Sequence, residues 1–522
     1  MANDLIRAPV ARLKDTSPEC YAGFRTKSLN MQNGTLLAAV DLGSNSFRLE
    51  IGRLDHGRIH RIEYLKETVR QGSGLDENGM LSPAAMQRGW DCLARFGERL
   101  RGFAPHQVRA VATQTLRVAR NREVFLAKGL EVLGFPIDVV SGPEEARLIY
   151  AGVARMLPLS DERRLVVDIG GRSTELILGR GLRSHVVGSY PLGSVAWSMA
   201  YFPEGRFTVQ AFDAAHAATE DLLADTPGRY PRESWDVAYG SSGTVGAIGD
   251  LLAGLGEPKG LITRKSLVDL RARLLQAQSA DKLKLDGLKE DRRPVIGGGV
   301  AVLGAVFDLL GIEQMQVAQG ALRQGVLYDL VQREAPATDI RTATVQALSA
   351  RFGTDAPQAA RVGRTVRALF DQVLPRAEPE AAHLLDRAAQ LHEIGTSIAH
   401  ADHPRHGAYI LHHTDAPGFS LQELRRLAEL LLGQRGKLRK LSLDLEDGHF
   451  VVQLLCLRLA IVLCHARRDP VPPLPQLALA GREFQLRIGA AWAARFPQSA
   501  HLLRAEAEAW KKTPWDVNVV VG

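Results

Sequence analysis

The stretch VVDIGGRSTELIL, residues 166 to 178, decides the fold, because it reads as two short apolar strands joined by a tight polar turn. Glycines let the backbone approach a ligand closely, and successive N–H groups of such a turn can converge on an anion. The hairpin therefore predicts a phosphate site. Its candidate residues are Gly170, Gly171, Arg172, Ser173 and Thr174, and Asp168 stands beside them.

A second hairpin of the same kind lies earlier in the chain. The run TLLAAVDLGSNSFRLEIGRL, from Thr35, has the turn Asp41 to Ser46, which matches Asp168 to Ser173 at a distance of 127 residues. Ser44, Asn45 and Ser46 add polar donors, and Asp41 repeats the position of Asp168. A carboxylate beside a phosphate turn is best explained by a divalent cation between the two. The repeat predicts two related halves that face each other.

A third candidate is the helix entry at Ser242, Gly243 and Thr244, where a helix N-terminus adds its positive end. The plainer interpretation is that all these residues are ordinary turn formers. Two matched hairpins and one helix entry together favour the binding interpretation. The P-loop pattern GxxxxGK[ST] is absent from the sequence.

Two glutamates follow Ser141 at a predicted helix start. Glu144 stands three residues after Ser141, which is the spacing of a capping box. Glu145 is not needed for that cap, so its carboxylate is a candidate general base, although glutamates at helix starts are common.

Composition bounds the class of protein. The chain has 522 residues, 45% hydrophobic and 24% charged, which predicts several globular domains. The formal net charge of +7 suits an anionic partner but lacks the density of a nucleic-acid binder. We expect neither a signal peptide nor a transmembrane segment, and therefore a cytoplasmic protein. The spacing of the four cysteines predicts no cysteine metal site and no disulfide framework.

Strands and helices alternate up to Arg333, and the pattern becomes helical afterwards. This predicts a loose tail over residues 1–34, α/β domains over 35–155 and 156–334, and a helical region over 335–522. Pro336 marks the last boundary.

Six ordered motifs together resemble the exopolyphosphatase and guanosine pentaphosphate phosphatase family. They are DLGSNSF at 41–47, TLR at 115–117, SGPEEARLI at 141–149, DIGGRSTE at 168–175, SSGT at 241–244 and GALRQGVLYDL at 320–330. The resemblance implies an α/β fold of two actin-like (ribonuclease H-like) halves flanking a cleft, followed by an all-α HD-like domain.

The resemblance also implies a magnesium-dependent hydrolase that removes the terminal phosphate of a phosphoanhydride chain. Glu145 matches the family's general base, Arg117 matches an arginine that faces phosphate, and Asp41, Asp168 and Glu175 match its metal-binding acids. Two departures are Arg172, which stands where the family has a glycine, and Gln324, which stands where it often has a glutamate.

Histidines cluster in the predicted HD-like region, at His392, His400, His403, His406, His412 and His413. Such clustering suggests a metal. However, the dyad position reads His392-Glu393 instead of His-Asp, so a helical scaffold is favoured. This region also offers surface for a homodimer, which the resemblance supports.

The leading hypothesis is an exopolyphosphatase acting on inorganic polyphosphate with Mg²⁺, and a guanosine pentaphosphate 5′-phosphatase is the close alternative. A non-catalytic polyphosphate sensor and an ATP-using kinase or chaperone of the wider superfamily stay open as different classes.

Overall fold

The computed structural model describes residues 31–158, 160–283, 287–333, 338–375, 379–438, 441, 443–511 and 513–522. The predicted tail therefore lies outside the described residues except for 31–34, and so do residues 334–337 of the predicted linker.

The first half is a five-stranded sheet in the order β3-β2-β1-β4-β5. Strands β1 and β2 form the predicted antiparallel hairpin, and β4 and β5 continue in parallel from β1. Its elements are β1 (Leu36–Leu42), β2 (Phe47–Asp55), β3 (Arg58–Glu67), α1 (Pro83–Arg99), β4 (Val108–Ala112), α2 (Gln114–Val118), α3 (Arg122–Leu133), β5 (Ile137–Val139) and α4 (Gly142–Met156).

The second half repeats this topology and adds one strand. Its sheet has the order β10-β11-β9-β6-β7-β8, so that β6, β7, β8, β9 and β11 correspond in turn to β1 through β5. Its elements are β6 (Arg163–Ile169), β7 (Thr174–Arg180), β8 (Arg183–Tyr190), α5 (Ser194–Tyr201), α6 (Val209–Leu222), α7 (Thr226–Arg229), β9 (Val237–Ser241), α8 (Ser242–Gly254), β10 (Leu261–Thr263), α9 (Arg264–Ala277), α10 (Ile296–Leu310) and β11 (Gln314–Val317).

The two halves share one apolar core around α4 and the following helix, α11 (Leu322–Arg333). Leu37 of the first sheet and Val166 of the second belong to this core, as do Ile149 of α4 and Val326 of α11. Helix α11 thus comes after the second half in sequence but packs between the two sheets.

Glycines let α4 and α11 cross at close range. A Cβ at Gly325 would lie 1.8 Å from the Leu148 carbonyl oxygen, and a Cβ at Gly152 would lie 2.0 Å from the Ala321 oxygen. No side chain fits at either crossing point.

The C-terminal region is helical but not entirely so. It contains α12 (Ile340–Arg351), α13 (Ala356–Val373), α14 (Pro379–Leu391), α15 (His403–His412), α16 (Leu421–Gly433), α17 (Gly448–Leu463), β12 (Gln476–Ala480), β13 (Glu483–Ile488), α18 (Ala490–Arg495), α19 (Pro497–Trp510) and β14 (Asp516–Val521). The sheet β12-β13-β14 corrects the expectation of an all-α region. Its β13–β14 pair is parallel, which requires the long connection through α18 and α19.

An ion-pair network docks the C-terminal region onto the first half. Buried Asp329 of α11 accepts from Arg109, Arg147 and Arg333, and Arg333 also donates to the Gly418 carbonyl oxygen. Burial alone would raise the pKa of Asp329, but the three guanidinium groups lower it far below its ordinary range.

One helix of the described residues is long and apolar enough to cross a membrane, judged by length and composition only. It spans Arg293–Leu310, with a mean hydropathy of 1.5, and 67% of it is buried inside the second half. No such segment was expected from the sequence. The burial is that of a core helix, so its apolar character is explained by packing.

The helix crossing generates a prediction. Gly325→Ala places a methyl group against the Leu148 carbonyl and should lower the free energy of unfolding by at least about 2 kcal/mol through overpacking. Gly304→Ala is the matched control, because Gly304 is also inside a helix and a Cβ there meets nothing within 4 Å. The free energy of unfolding of Gly304→Ala should stay unchanged or rise by up to about 1 kcal/mol. Denaturant unfolding measures the stability of both variants. Equal stability would contradict the close helix crossing at Gly325.

Candidate active site

The two hairpins have the same strand register, but the residue opposite the aspartate is basic in the first and acidic in the second. Asp41 pairs in register with Arg48 across the first hairpin, and Asp168 pairs in register with Glu175 across the second. Arg48 lies 3.2 Å from the Asp41 carboxylate, and Arg323 of α11 lies 3.3 Å from it. Asp41 is therefore neutralised by arginines, whereas Asp168 faces another carboxylate.

Burial and mutual repulsion disfavour ionisation at the second hairpin. Burial raises the pKa of Asp168 to about 6, and the nearby Ser241 hydroxyl and Arg48 charge only partly oppose the rise. Burial, followed by the charges of Glu145 and Asp168, raises the pKa of Glu175 well above its ordinary value, although Ser189 donates to its carboxylate at 2.7 Å. The predicted acids Asp168, Glu175 and Glu145 are thus brought close enough to repel one another.

Glu145 lies in the first turn of α4, where Ser141 caps the helix. Arg117 of α2 donates to the Glu145 carboxylate at 3.0 Å and is itself held by Gln114 and the Val140 carbonyl. Burial nevertheless raises the pKa of Glu145 to about 7, with Arg117 opposing the rise. A carboxylate with such a pKa can accept a proton near neutral pH.

The neighbouring glutamate has a structural role. Ser141 Oγ accepts from the Glu144 N–H at 3.2 Å, as the capping interpretation requires. The Glu144 side chain does not return to Ser141, because it accepts from Arg147 and, at 2.8 Å, from the Gly418 N–H of the C-terminal region. The capping-box expectation is corrected to a simple cap, and Glu144 links α4 to the C-terminal region.

The phosphate-turn candidates divide into two groups. At the first turn, Ser44 Oγ accepts from Thr115, while Asn45 Nδ2 and Ser46 Oγ are buried without a partner among the described atoms. At the second turn, the N–H groups of residues 171–173 donate to no acceptor within the part of the chain that the structure describes. Arg172 reaches across to the Gly72 carbonyl oxygen of the first half.

Three predicted phosphate ligands have hydrogen-bond partners within the protein. Thr174 is fully buried and donates to the Leu192 carbonyl, and Thr244 donates to Ser194. The Ser242 hydroxyl accepts from its own helix, and Ser242 adopts a φ of 89°, a conformation that non-glycine residues rarely adopt. These hydroxyls are thus engaged within the protein, and Ser194 in turn donates to the Gly170 carbonyl oxygen of the second turn, so their role in phosphate binding stays a prediction.

Whether Mg²⁺ fits is decided by the donor set. Asp168 and Glu175 fit, since they are adjacent, buried carboxylates with raised pKa values, and Mg²⁺ prefers oxygen ligands. Asp41, which we expected with them, fits less well because Arg48 and Arg323 already neutralise it. Within the described ranges, no three His, Cys, Asp or Glu side chains form a ready metal cage. Mg²⁺ usually takes one or two carboxylates together with substrate phosphates.

A cavity of about 400 Å³ opens beside the carboxylates, where both halves and the C-terminal region meet. Its lining includes Gln114, Arg117, Gly142, Ser189, Arg229 and Asp415. This volume lies within the range of small-molecule sites.

Several residues of the site were not predicted from the sequence. Arg48 follows a quoted motif directly and Arg323 lies inside another, so both were visible, but only the folded chain shows that they bind Asp41. Gln324 donates to both oxygens of buried Glu50 at 2.8 Å, which explains a neutral amide in place of a glutamate. Arg292, whose Nη2 lies 2.3 Å from where a Cβ at Gly243 would stand, carried no signal in the sequence.

The two-lobed actin-like fold, with carboxylates and arginines gathered between its lobes, defines a protein of the class that handles phosphate groups. The profile of the Ppx/GppA phosphatase family matches residues 51–334, and that of Ppx/GppA phosphatase domain III matches residues 340–507. A guanosine-5′-triphosphate,3′-diphosphate pyrophosphatase of Photobacterium profundum is 37% identical over 486 residues, which are 92% of this chain and 97% of the relative.

Solved structures agree on the fold. An exopolyphosphatase from Cytophaga hutchinsonii ATCC 33406 superposes with a TM-score of 0.53 and 24% identity, over 57% of this chain and 98% of that one. An exopolyphosphatase-like protein gives a TM-score of 0.53 and 23% identity over the same shares. The chain belongs to the Ppx/GppA phosphatase family, which confirms the resemblance and a hydrolase acting on phosphoanhydrides.

The two adjacent glutamates should respond oppositely to removal of their charge. The folded pKa of Glu145, about 7, exceeds the ordinary 4.5, so the wild-type protein loses stability as the pH rises between these values. With a chelator present to remove metal ions, the free energy of unfolding of Glu145→Gln at pH 8 should therefore exceed that of wild type by on the order of 2 kcal/mol.

Glu144→Gln is the matched comparison, because it leaves buried Arg147 with one carboxylate fewer. It should be less stable than wild type by about 3 kcal/mol, the scale of a broken buried ion pair. Thermal or denaturant unfolding at several pH values measures both. A Glu145→Gln protein less stable than wild type at pH 8 would refute this account of the charge cluster.

Proposed function

We propose that the protein removes the terminal phosphate of the 5′ chain of guanosine pentaphosphate. The observation that carries this proposal is the 37% identity to the Photobacterium guanosine-5′-triphosphate,3′-diphosphate pyrophosphatase over almost the full length of both chains. Similarity that extends through the C-terminal region supports a shared substrate more strongly than similarity confined to the two α/β halves.

The proposed mechanism assigns the proton to Glu145. Its raised pKa of about 7 makes the carboxylate a stronger base than an ordinary glutamate. It can therefore take a proton near neutral pH from a water that attacks the terminal phosphorus. Arg117 orients that carboxylate through the 3.0 Å ion pair and presents its positive charge to the cavity. The reaction then requires mainly that water and phosphate be placed in line.

Asp168 and Glu175 are the proposed ligands of Mg²⁺, and Asp41 keeps Arg48 and Arg323 in place beside them. When bound, Mg²⁺ would offset negative charge that develops on the phosphate oxygens. Residues 171–173 offer their N–H groups to the same phosphate as a backbone anion site.

Inorganic polyphosphate is the second candidate substrate. The supporting observation is that Arg117 and Arg229 both line the cavity, so a longer anion could meet more than one cation. The net charge of +7 agrees with such a substrate without requiring it.

The test compares phosphate release from guanosine pentaphosphate and from long-chain polyphosphate at equal concentrations with Mg²⁺. We expect a larger kcat/KM for the nucleotide. Glu145→Gln should lower kcat at least ~100-fold, the scale of general-base catalysis, while substrate still binds. Glu123→Gln is the matched control, since Glu123 is also in a first helical turn but is exposed.

A larger kcat/KM for polyphosphate would transfer the assignment to the second candidate. Near-normal turnover by Glu145→Gln would remove Glu145 from the mechanism. Binding of either anion without any release would favour the sensor class.

A further inference from the structure

Three loops meet where the two halves contact each other, and one of them was not part of the predicted site. Residues 70–72 run beside the first turn, where Gly72 N–H donates to Ser44 O at 2.7 Å and Arg70 N–H donates to Asn45 O at 2.9 Å. The second turn packs on the first, since a Cβ at Gly171 would lie 3.0 Å from Ser44 Cβ.

Arg172 connects the two halves at this point. Its Nη1 donates to the Gly72 carbonyl oxygen, so a side chain of the second half is fastened to the backbone of the first. The guanidinium is half-buried and forms no ion pair with any carboxylate of the described residues. Burial lowers the pKa of Arg172, and no neighbouring charge offsets that effect.

Gly72 is shaped to receive Arg172. A Cβ at Gly72 would lie 3.0 Å from Arg172 Cδ and 3.0 Å from Ser44 Cβ, so a side chain there would displace the arginine. Any residue larger than glycine therefore interferes with the bridge between the halves.

Unsatisfied polar atoms surround the same junction. Gln71 is 0% exposed, yet neither oxygen nor nitrogen of its amide has a partner among the described atoms, and the same holds for Asn45 Nδ2 and Ser46 Oγ. Buried polar groups in proteins almost always have hydrogen-bond partners. These atoms lie in the two loops of the first half that adjoin Arg172, and a polar ligand with hydrogen-bond acceptors would satisfy the donors among them.

We propose that Arg172 is a substrate-binding residue that clasps the cleft shut on a phosphate group, held in place by the Gly72 carbonyl and assisted by the polar atoms of Gln71, Asn45 and Ser46. This inference rests on the proposed phosphohydrolase function and deepens it. The bound group is a phosphate of the phosphoanhydride substrate, and the released orthophosphate occupies the same place after hydrolysis.

The clasp has a kinetic consequence. An arginine that has already lost part of its hydration gains a charge-assisted contact when phosphate arrives, and the arginine can offer several N–H donors to the phosphate oxygens. Because Arg172 holds orthophosphate as well as substrate, its removal should weaken the binding of both. The proton acceptor Glu145 would stay in place.

The first experiment compares Arg172→Gly and Gly72→Ala with wild type for kcat, KM and inhibition by orthophosphate. We expect both variants to raise KM and the orthophosphate inhibition constant about tenfold, the scale of one lost hydrogen bond to a charged group. The kcat should stay within about threefold, because chemistry is left to other residues. Arg180→Gly, at the exposed far end of the same hairpin, is the control for loss of one positive charge.

Gly72→Ala and Arg172→Lys distinguish loss of the clasp from misfolding. Gly72→Ala keeps the arginine but places a methyl group where its side chain packs. Arg172→Lys keeps the charge but not the planar fork, and it should recover part of the affinity lost in Arg172→Gly. Unchanged KM and unchanged orthophosphate inhibition in Arg172→Gly and Gly72→Ala would overturn the clasp. Loss of kcat at constant KM would overturn it too.

A second readout does not depend on turnover. Pyrophosphate or orthophosphate should raise the melting temperature of wild type more than that of Arg172→Gly or Gly72→Ala. If wild type hydrolyses no phosphoanhydride but shows this difference, the proposed function fails and the anion clasp stands. If wild type is active and the three proteins show equal shifts, the clasp fails and the function stands.

Discussion

The close crossing of α4 and α11 is the constraint on which the rest of the structure depends. Gly152, Gly320 and Gly325 bring the two helices so near that added Cβ atoms would lie within 2.2 Å of opposing carbonyl oxygens. The crossing closes the core between the two sheets, and the N-terminus of α4 presents Glu145 to the cleft. The position of the candidate base is therefore set by backbone packing, because Glu145 and the crossing point lie on the same helix.

The C-terminal region acts on the same helix from outside. Its Gly418 N–H binds Glu144, one residue before the candidate base, and Gln422 satisfies both Val139 N–H and Ile137 O at the edge strand β5. A region that lies far away in sequence thus holds both elements that lead into the candidate active site. This explains structurally why the C-terminal region and α4 form one unit with the cleft.

Much of the fold and part of the site were predictable from local patterns. Both hairpins, the start of α4 and the helix entry at Ser242 follow from alternation, glycine turns and caps, and the structure confirms them. The sheet β12-β13-β14 was missed because its strands are short and β14 pairs with a strand 33 residues earlier in register, Glu483 with Asp516. The partners of Asp41, and the inward turn of Thr174, depend on tertiary contacts that no local pattern encodes. The domain boundaries, the cytoplasmic location and the homodimer stay predictions.

Two equally buried carboxylates show how this chain separates stability from chemistry. Asp329 is 2% exposed and Glu175 is 1% exposed, so burial disfavours both charges. Three arginines surround Asp329 and lower its pKa, whereas Glu175 faces Asp168 and Glu145 and its pKa rises. Arg172 in the turn of the same hairpin donates to the Gly72 carbonyl oxygen but forms no ion pair with a carboxylate among the described residues. Charges left uncompensated in a well-packed protein cost stability, and such costs persist where a ligand or a reaction supplies the missing charge. Among the described residues, Asp168 and Glu175 on the strands of this hairpin and Arg172 in its turn form no ion pair, and all three lie on the same hairpin. A phosphate accompanied by a divalent cation would complete both sets at once, and neither component alone would do so.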